Sequence, residues 1–237
     1  MLQTSSLRVA IITPYYDEDY ELILKCNQSV LSQSYPTTHV LVADGQPHPD
    51  VAGFDAHHVV LPLSHSDIGS TPRLIGAYHA IGLGYDAVAF LDADNWVASN
   101  HIEMLIDAYR TSGAAFLSSG RWLCHLDGTP MAICPFTDPA KFIDTNCMFF
   151  TRDAFKLLHY WVLMPVYGHL IGDRIMLYYV RKSGLKMEHV NVPSVYYRCS
   201  KEGVYHYLGR KIPEGVEPRP DYESSFQRWL ADGNEPL

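Results

Sequence analysis

Residues 86–97 read DAVAFLDADNWV. Ala87 to Leu91 is a run of small and apolar residues, as in a strand crossing a core. It meets two carboxylates one residue apart, Asp92 and Asp94. A free carboxylate next to a core is costly unless something pairs with it. Residues i and i+2 of an extended chain project to the same side, so Asp92 and Asp94 can face one point. There they either share a proton or hold a cation. At an exposed strand end a hard divalent ion, Mn²⁺ or Mg²⁺, fits, because it takes a few carboxylates and fills its shell with water or phosphate oxygens. A plainer reading is that Asp94 and Asn95 cap a turn.

Working outward, LRVAIITP (residues 7–14) is a second continuous apolar run, rich in β-branched residues and ended by Pro14. Such a run suits a strand buried on both faces. An amphipathic helical stretch, DYELILKCNQSVLSQSY, follows. Next come a strand in THVLVADG, closed by Asp44 and Gly45, and another in HHVVLPL. TPRLIGAYHAIGLG reads as a helix with Thr71 as N-cap, Pro72 at its first position and Gly84 as its stop. After the strand at 86–92, a helix capped by Ser99 or Asn100 ends at Gly113, and AAFLSS is a fifth strand. The alternation predicts an α/β fold, a three-layer α/β/α sandwich around a mostly parallel sheet. From Arg121 to Phe150 the pattern changes to short aromatic strands with turns, a small β region. A helix stopped by Gly184 follows, and residues 213–237 read as a Pro-rich, extended tail. In such sheets ligands sit at the carboxyl ends of the strands. The candidate positions are therefore Thr13 to Tyr16, Asp44, and Asp92 with Asp94.

The chain has 237 residues, 47% apolar, and a formal net charge of −8. That balance, with no basic run, argues against a nucleic-acid partner. Five scattered cysteines without a CxxC pair read as reduced thiols in a cytoplasmic protein. The first residues lack the pattern of a leader peptide, and no stretch approaches the ~20 apolar residues of a membrane span.

The ordered pieces VAIITPYYDEDYELILKCNQSVLSQSYP, HVLVADG, DIGSTPRLIGAYHAI and DAVAFLDADNW resemble the family-2 inverting glycosyltransferases, which have the GT-A nucleotide-sugar fold. The resemblance covers about residues 7–200. It implies a transferase domain at 1–212, with a nucleotide-sugar half of about 1–120 and an acceptor half of about 121–212. It also implies that Asp92 and Asp94 are the family's Asp-x-Asp (DXD) motif, Asp94 on the metal and Asp92 on the nucleotide ribose or the ion. Thr13, Pro14 and Tyr15 would meet the base, with the Tyr15 ring as a stacking surface. Asp44 would accept the imide N–H of uracil or thymine, although guanine offers an N–H too, and Arg73 would hold the diphosphate. Asp144, Thr145 and Asn146 would line the donor sugar. Asp173 would be the base that takes the acceptor's proton, and His206 a further metal ligand. The implied partners are a nucleoside-diphosphate sugar, UDP-type favoured, and a glycan or other hydroxyl acceptor.

The family's usual acidic pair departs here, with Gly172 before Asp173 in IGDRIM. That departure keeps open a non-catalytic nucleotide-sugar or glycan-binding relative. A sugar-phosphate nucleotidyltransferase would need a Gly-rich loop with Arg and Lys after the first strand, and PYYDEDY has neither. GLG at 82–84 precedes a strand rather than following one, so it is a helix stop and not a dinucleotide loop.

Overall fold

The structure is a computed structural model, and it describes residues 6–237. The start of the chain, whose pattern argues against a leader, lies partly outside the described residues, at 1–5. In chain order the elements are β1 (Val9–Tyr15), α1 (Tyr20–Leu31), β2 (Thr37–Ala43), β3 (His57–Val60), α2 (Ser70–Gly82), β4 (Ala87–Phe90), β5 (Trp96–Val97), α3 (His101–Ser112), β6 (Phe116–Cys124), β7 (Pro130–Ile133), β8 (Met148–Thr151), α4 (Tyr160–Leu163), α5 (Gly172–Lys182), β9 (Met187–Arg198), α6 (Glu202–Tyr207) and α7 (Tyr222–Ala231). The sheet runs β3-β2-β1-β4-β8-β6-β9-β5, with β7 paired to β6. β3, β2, β1 and β4 are mutually parallel, as is β6 with β9. β8 runs antiparallel to both β4 and β6, and β7 closes a hairpin on β6. This hairpin is the small β region expected after Arg121.

Alternation along β1 and β2 explains the layers. Thr13 and His39 contact Cys26 and Asn27 of α1. Ile12 and Val42, which point the other way, press on α2 at Gly76. A Cβ on Gly76 would lie 2.5 Å from Ile12 and 2.7 Å from Val42, so only glycine lets this helix approach so closely. Gly76→Ala is therefore expected to destabilise the protein by about 1–3 kcal/mol, the usual cost of overpacking a filled core. Urea unfolding measures it, and an unchanged midpoint would mean that α2 can slide away from the sheet.

The glycines read as helix stops, Gly84, Gly113 and Gly184, all adopt positive φ. The start of α2 differs from expectation. The helix begins at Ser70 with Gly69 in the left-handed region at the N-cap position, and Thr71 lies inside. Asp67 does the capping, its Oδ2 accepting the Thr71 backbone N–H at 2.8 Å. A carboxylate four residues before the expected cap reaches the free N–H groups better than the shorter Thr71 hydroxyl.

The tail also differs from the extended reading. Residues 222–231 form α7, whose Trp229 is buried in the main core. Pro213, Pro218 and Pro220 lie before the helix and Pro236 after it, so none interrupts it, and Asp221 caps the helix by accepting the Ser224 N–H at 3.1 Å. The last residues are thus packed onto the body that a boundary at 212 would separate them from. Among the described residues no helix is long and apolar enough to cross a membrane.

Candidate functional site

β1 has β2 on one side and β4 on the other, so connections leave it in opposite directions. Ligand clefts of open α/β sheets form at such switch points, outside the carboxyl ends of the strands. A cleft of about 510 Å³ lies there, bordered by Pro14 to Glu18 after β1, by Asp44 after β2, and by Asp92, Asp94 and Asn95 after β4. The start of α2 and the loop before it supply Asp67, Ile68, Gly69 and Arg73, and the far wall is Tyr197, Ser200 and Lys201.

Asp92 and Asp94 lie in the turn just past β4, not on the strand itself. The turn is pinned from two directions. The Asp92 N–H donates to Asn146 Oδ1 at 2.5 Å, and Asn95 Oδ1 accepts the Arg198 N–H at 2.7 Å. So Asn95 has the turn-forming role, while both aspartates face the cleft. Asp92 is held by the Arg73 guanidinium and by Asn146 Nδ2 at 2.9 Å. Asp94 has only a loose ion pair with Arg198, at 3.7 Å. Its pKa is pushed up to about 7, by loss of water around the carboxyl and then by the charge of Asp92, against the pull of Arg198, with Glu18 adding to the rise. Glu18 is itself raised, by burial and by Asp92 and Asp17.

Arg73 lies in the first turn of α2, as expected for a diphosphate contact, and one of its Nη groups donates to the Ile68 carbonyl at 2.7 Å. That carbonyl is aimed by an unusual loop. Ile68 has φ 56° and Ser66 φ 53°. A β-branched residue with positive φ is a real outlier, and such strain costs of order 1–3 kcal/mol. Here it supports the guanidinium, whose Nε is buried without a partner.

Other expected contacts fall elsewhere. Thr13 is fully buried and its hydroxyl bonds His39 Nε2 at 2.9 Å, so it is a core residue behind the cleft. The Tyr15 ring is only 2% exposed, stacked on His58, with its hydroxyl on His58 Nε2 at 2.7 Å. The ring that β1 offers to the cleft is that of Tyr16, 40% exposed. The reason is that β1 is buried on both faces to its last residue, and solvent begins one position later. Asp44 lines the cleft, and its carboxylate accepts His65 Nδ1 at 2.7 Å and the His65 N–H at 3.1 Å.

Asp144, Thr145 and Asn146 are all buried and do not line the cleft. Asn146 shares its Nδ2 between Asp92 and Asp144, the latter at 2.7 Å. Asp144 also pairs with Arg121, which is stacked 4.2 Å from the Tyr197 ring. A continuous chain of contacts therefore runs Arg73–Asp92–Asn146–Asp144–Arg121. Asn146 and Asp144 hold the turn bearing Asp92 and Asp94 from behind the cleft.

Asp173 is at the start of α5, beside that chain, and like Asp144 it does not line the cleft. Its pKa is pushed up to about 7, by burial first and then by Asp144, against Arg174. A Cβ on Gly172 would lie 3.3 Å from the Trp161 ring and 3.4 Å from Met164 Sδ. The space that an acidic neighbour would need is thus filled by those two side chains. His206 is on exposed α6, facing Glu202 at 3.9 Å, and is not part of the cleft wall. The helical turn that forms after Lys201 carries it away, and Ser200 and Lys201 take the late-loop position. Among the described residues, no three His, Cys, Asp or Glu side chains converge as a ready metal cage. Tyr16 is among the candidate positions read from sequence but without a role of its own; residues not foreseen from sequence are Glu18, His65, Lys201, Arg198 and Arg121.

A parallel β/α half with its cleft at the switch point, continued by a half of mixed strand direction, defines the GT-A class of fold. The chain belongs to glycosyl transferase family 2, whose family pattern matches residues 10–165. Among solved structures it is similar to S. aureus TarS 1–349 in complex with UDP, with TM-score 0.63 and 13% identity over 85% of this chain and 63% of that one. It is similar also to the same fragment in complex with UDP-GlcNAc, with TM-score 0.62 and 11% identity over 93% and 64%. Against the longer S. aureus TarS the TM-score is 0.60, and only 38% of that chain is spanned. The chain thus covers less than two thirds of the TarS chains it resembles. No curated protein matches it in sequence.

Proposed function

We propose that this chain transfers a sugar from a UDP-type nucleoside-diphosphate donor to a hydroxyl acceptor, with inversion and with help from Mn²⁺ or Mg²⁺. The observation that carries the reading is the charge of the cleft. Its wall has six carboxylates, Asp17, Glu18, Asp44, Asp67, Asp92 and Asp94, against Arg73 and Lys201. A doubly charged diphosphate entering alone would meet repulsion, and a divalent cation removes it. The donor set fits such an ion. Asp94 lacks a close cationic partner and is crowded by Asp92 and Glu18, and hard oxygen ligands completed by water and phosphate suit Mg²⁺ or Mn²⁺.

Asp94 would hold the ion, with Asp92 beside it. When bound, the ion neutralises charge developing on the diphosphate leaving group. The chain's own groups do the rest. Tyr16 offers a ring to the base and Asp44 an acceptor for its N–H. Arg73 contributes a guanidinium fork at a helix start, a sound phosphate contact. The Asp173 carboxylate takes the proton of the acceptor hydroxyl as its oxygen attacks the anomeric carbon. Attack opposite the departing diphosphate inverts the configuration. The fold likeness to TarS, which was solved with UDP and UDP-GlcNAc, favours uracil. All five cysteines are free thiols, in keeping with a cytoplasmic setting.

Calorimetric titration of UDP tests the metal and the base together. UDP is expected to bind with Mn²⁺ and to lose at least about tenfold in affinity in EDTA, a difference of 1.4 kcal/mol or more. Equal affinity in EDTA would remove the ion from the site. GDP binding as tight as UDP would remove the base preference.

A further inference from the structure

The Asp44 carboxylate that would meet the base is already held from one side. It stands just after β2, 6% exposed, and lines the cleft. Three donors reach it from the loop that follows β3. The His65 ring gives Nδ1 to Oδ1 at 2.7 Å. The His65 backbone N–H lies 3.2 Å from Oδ1 and 3.1 Å from Oδ2, and the Ser64 hydroxyl is 3.3 Å from Oδ2. A carboxylate only accepts, so the ring nitrogen at Oδ1 is the one that carries the proton. Gly45 lets the loop come this close. Its φ is 83°, and a Cβ there would lie 2.3 Å from the Ser64 nitrogen and 2.5 Å from the Leu63 carbonyl carbon. Both the positive φ and the backbone approach call for glycine.

The contacts on the two oxygens are unequal. Oδ1 holds the short bond to the ring, while Oδ2 holds only the longer ones. A carboxylate offers about four lone-pair sites, so three donors leave a place for one more. The His65 side chain is 29% exposed and is not part of the cleft wall, so it acts on a ligand through Asp44.

We propose that His65 is a positioning residue for base selection: its Nδ1–H aims the Asp44 carboxylate so that the cleft accepts a base presenting an N–H and rejects one presenting a bare ring nitrogen. The proposal rests on the reading of Asp44 as the acceptor for the base. Uracil offers its imide N–H to the remaining lone pair. Cytosine has an unprotonated ring nitrogen at the same place, so two acceptors face each other and neither is paired. Without the ring donor the carboxyl can turn, because the last torsion of an aspartate is broad. UDP then loses an aimed acceptor, and CDP loses an obstacle. The ratio between them falls, not the affinity alone.

The test uses the whole chain. Nitrogen-15 NMR of ring-labelled histidines, without nucleotide, should find His65 Nδ1 protonated, the signal being assigned by its loss in His65→Ala. A bare Nδ1 would overturn the proposal. Calorimetry with Mn²⁺ then compares UDP with CDP. The parent should favour UDP by at least about tenfold, and His65→Ala should bring the two within about threefold of each other. His65→Asn should restore the preference, because its amide Nδ2 takes the place of the ring Nδ1. His65→Gln, whose amide sits where Nε2 does, should behave like the alanine variant. Equal weakening of both nucleotides in His65→Ala, with the ratio kept, would mark a merely structural contact and overturn the proposal. A parent that binds neither nucleotide would remove the function reading itself, whereas a parent that binds UDP with a ratio unmoved by His65→Ala removes the positioning role alone.

Discussion

Asp173→Asn should leave UDP–Mn²⁺ affinity and the melting temperature close to the parent's while turnover falls by about 10²–10⁴-fold, the usual contribution of a general base. Asparagine keeps the size of the side chain but cannot take a proton. A carboxylate that only decorated a helix start would be worth ~0.3–1 kcal/mol of stability and nothing in rate. The pH profile adds an independent reading. With a carboxyl raised to about 7, activity should climb as pH passes through that value, because only the ionised form accepts a proton. Stability should move the other way. A carboxyl whose folded pKa lies above its unfolded value favours the folded state below the unfolded value, near 4. That contribution is lost as pH rises through about 7. Turnover by the Asn variant within a few-fold of the parent would move the base elsewhere.

The frame of the fold was legible because its signals are local. A doubly buried strand announces itself as an unbroken apolar run rich in β-branched residues, as Val9–Ile12 does, and helices announce their ends through glycines such as Gly84 and Gly113. The Asp92/Asp94 pair was legible as a candidate for the same reason, since carboxylates directly after an apolar run mark the strand end where both line the cleft. What stayed hidden depends on tertiary contact. Nothing around Arg121 says that it meets Asp144, twenty-three residues on, because the hairpin of β6 and β7 has to fold back first. Tyr15 and Tyr16 are adjacent in sequence, and only the depth at which β1 ends decides which ring meets solvent. His206 was suggested only by the family resemblance, and the short helix that carries it outward has no strong sequence signal. The tail misled through Pro213, Pro218 and Pro220, which stop short of the amphipathic stretch that follows them.

Asp144→Ala is expected to cost about 3–5 kcal/mol in chemical unfolding, because it strands the Arg121 charge in the interior. Arg121 is 5% exposed and makes no other ion pair with a carboxylate among the described residues. The aromatic rings of Tyr197 and Phe142 near it, at 4.2 and 5.5 Å, soften the loss without replacing a charge. The double change Arg121→Met with Asp144→Leu separates stability from function. Removing both charges and keeping apolar volume should restore most of the stability, since buried pairs exchanged for packed hydrophobic groups are often near neutral. Function should not return with it. Asp144 also accepts the Asn146 N–H at 3.0 Å and its Nδ2 at 2.7 Å, and Asn146 in turn holds Asp92 by its backbone N–H and its carboxylate. With Asp144 gone, Asn146 loses the anchor that aims it, and the turn bearing Asp92 and Asp94 is free to shift. A stable double variant with weakened UDP–Mn²⁺ binding would show that the buried pair serves the cleft through Asn146. A stable double variant that binds UDP–Mn²⁺ like the parent would reduce the pair to a scaffold feature, leaving Arg73 and Arg198 to hold the turn alone.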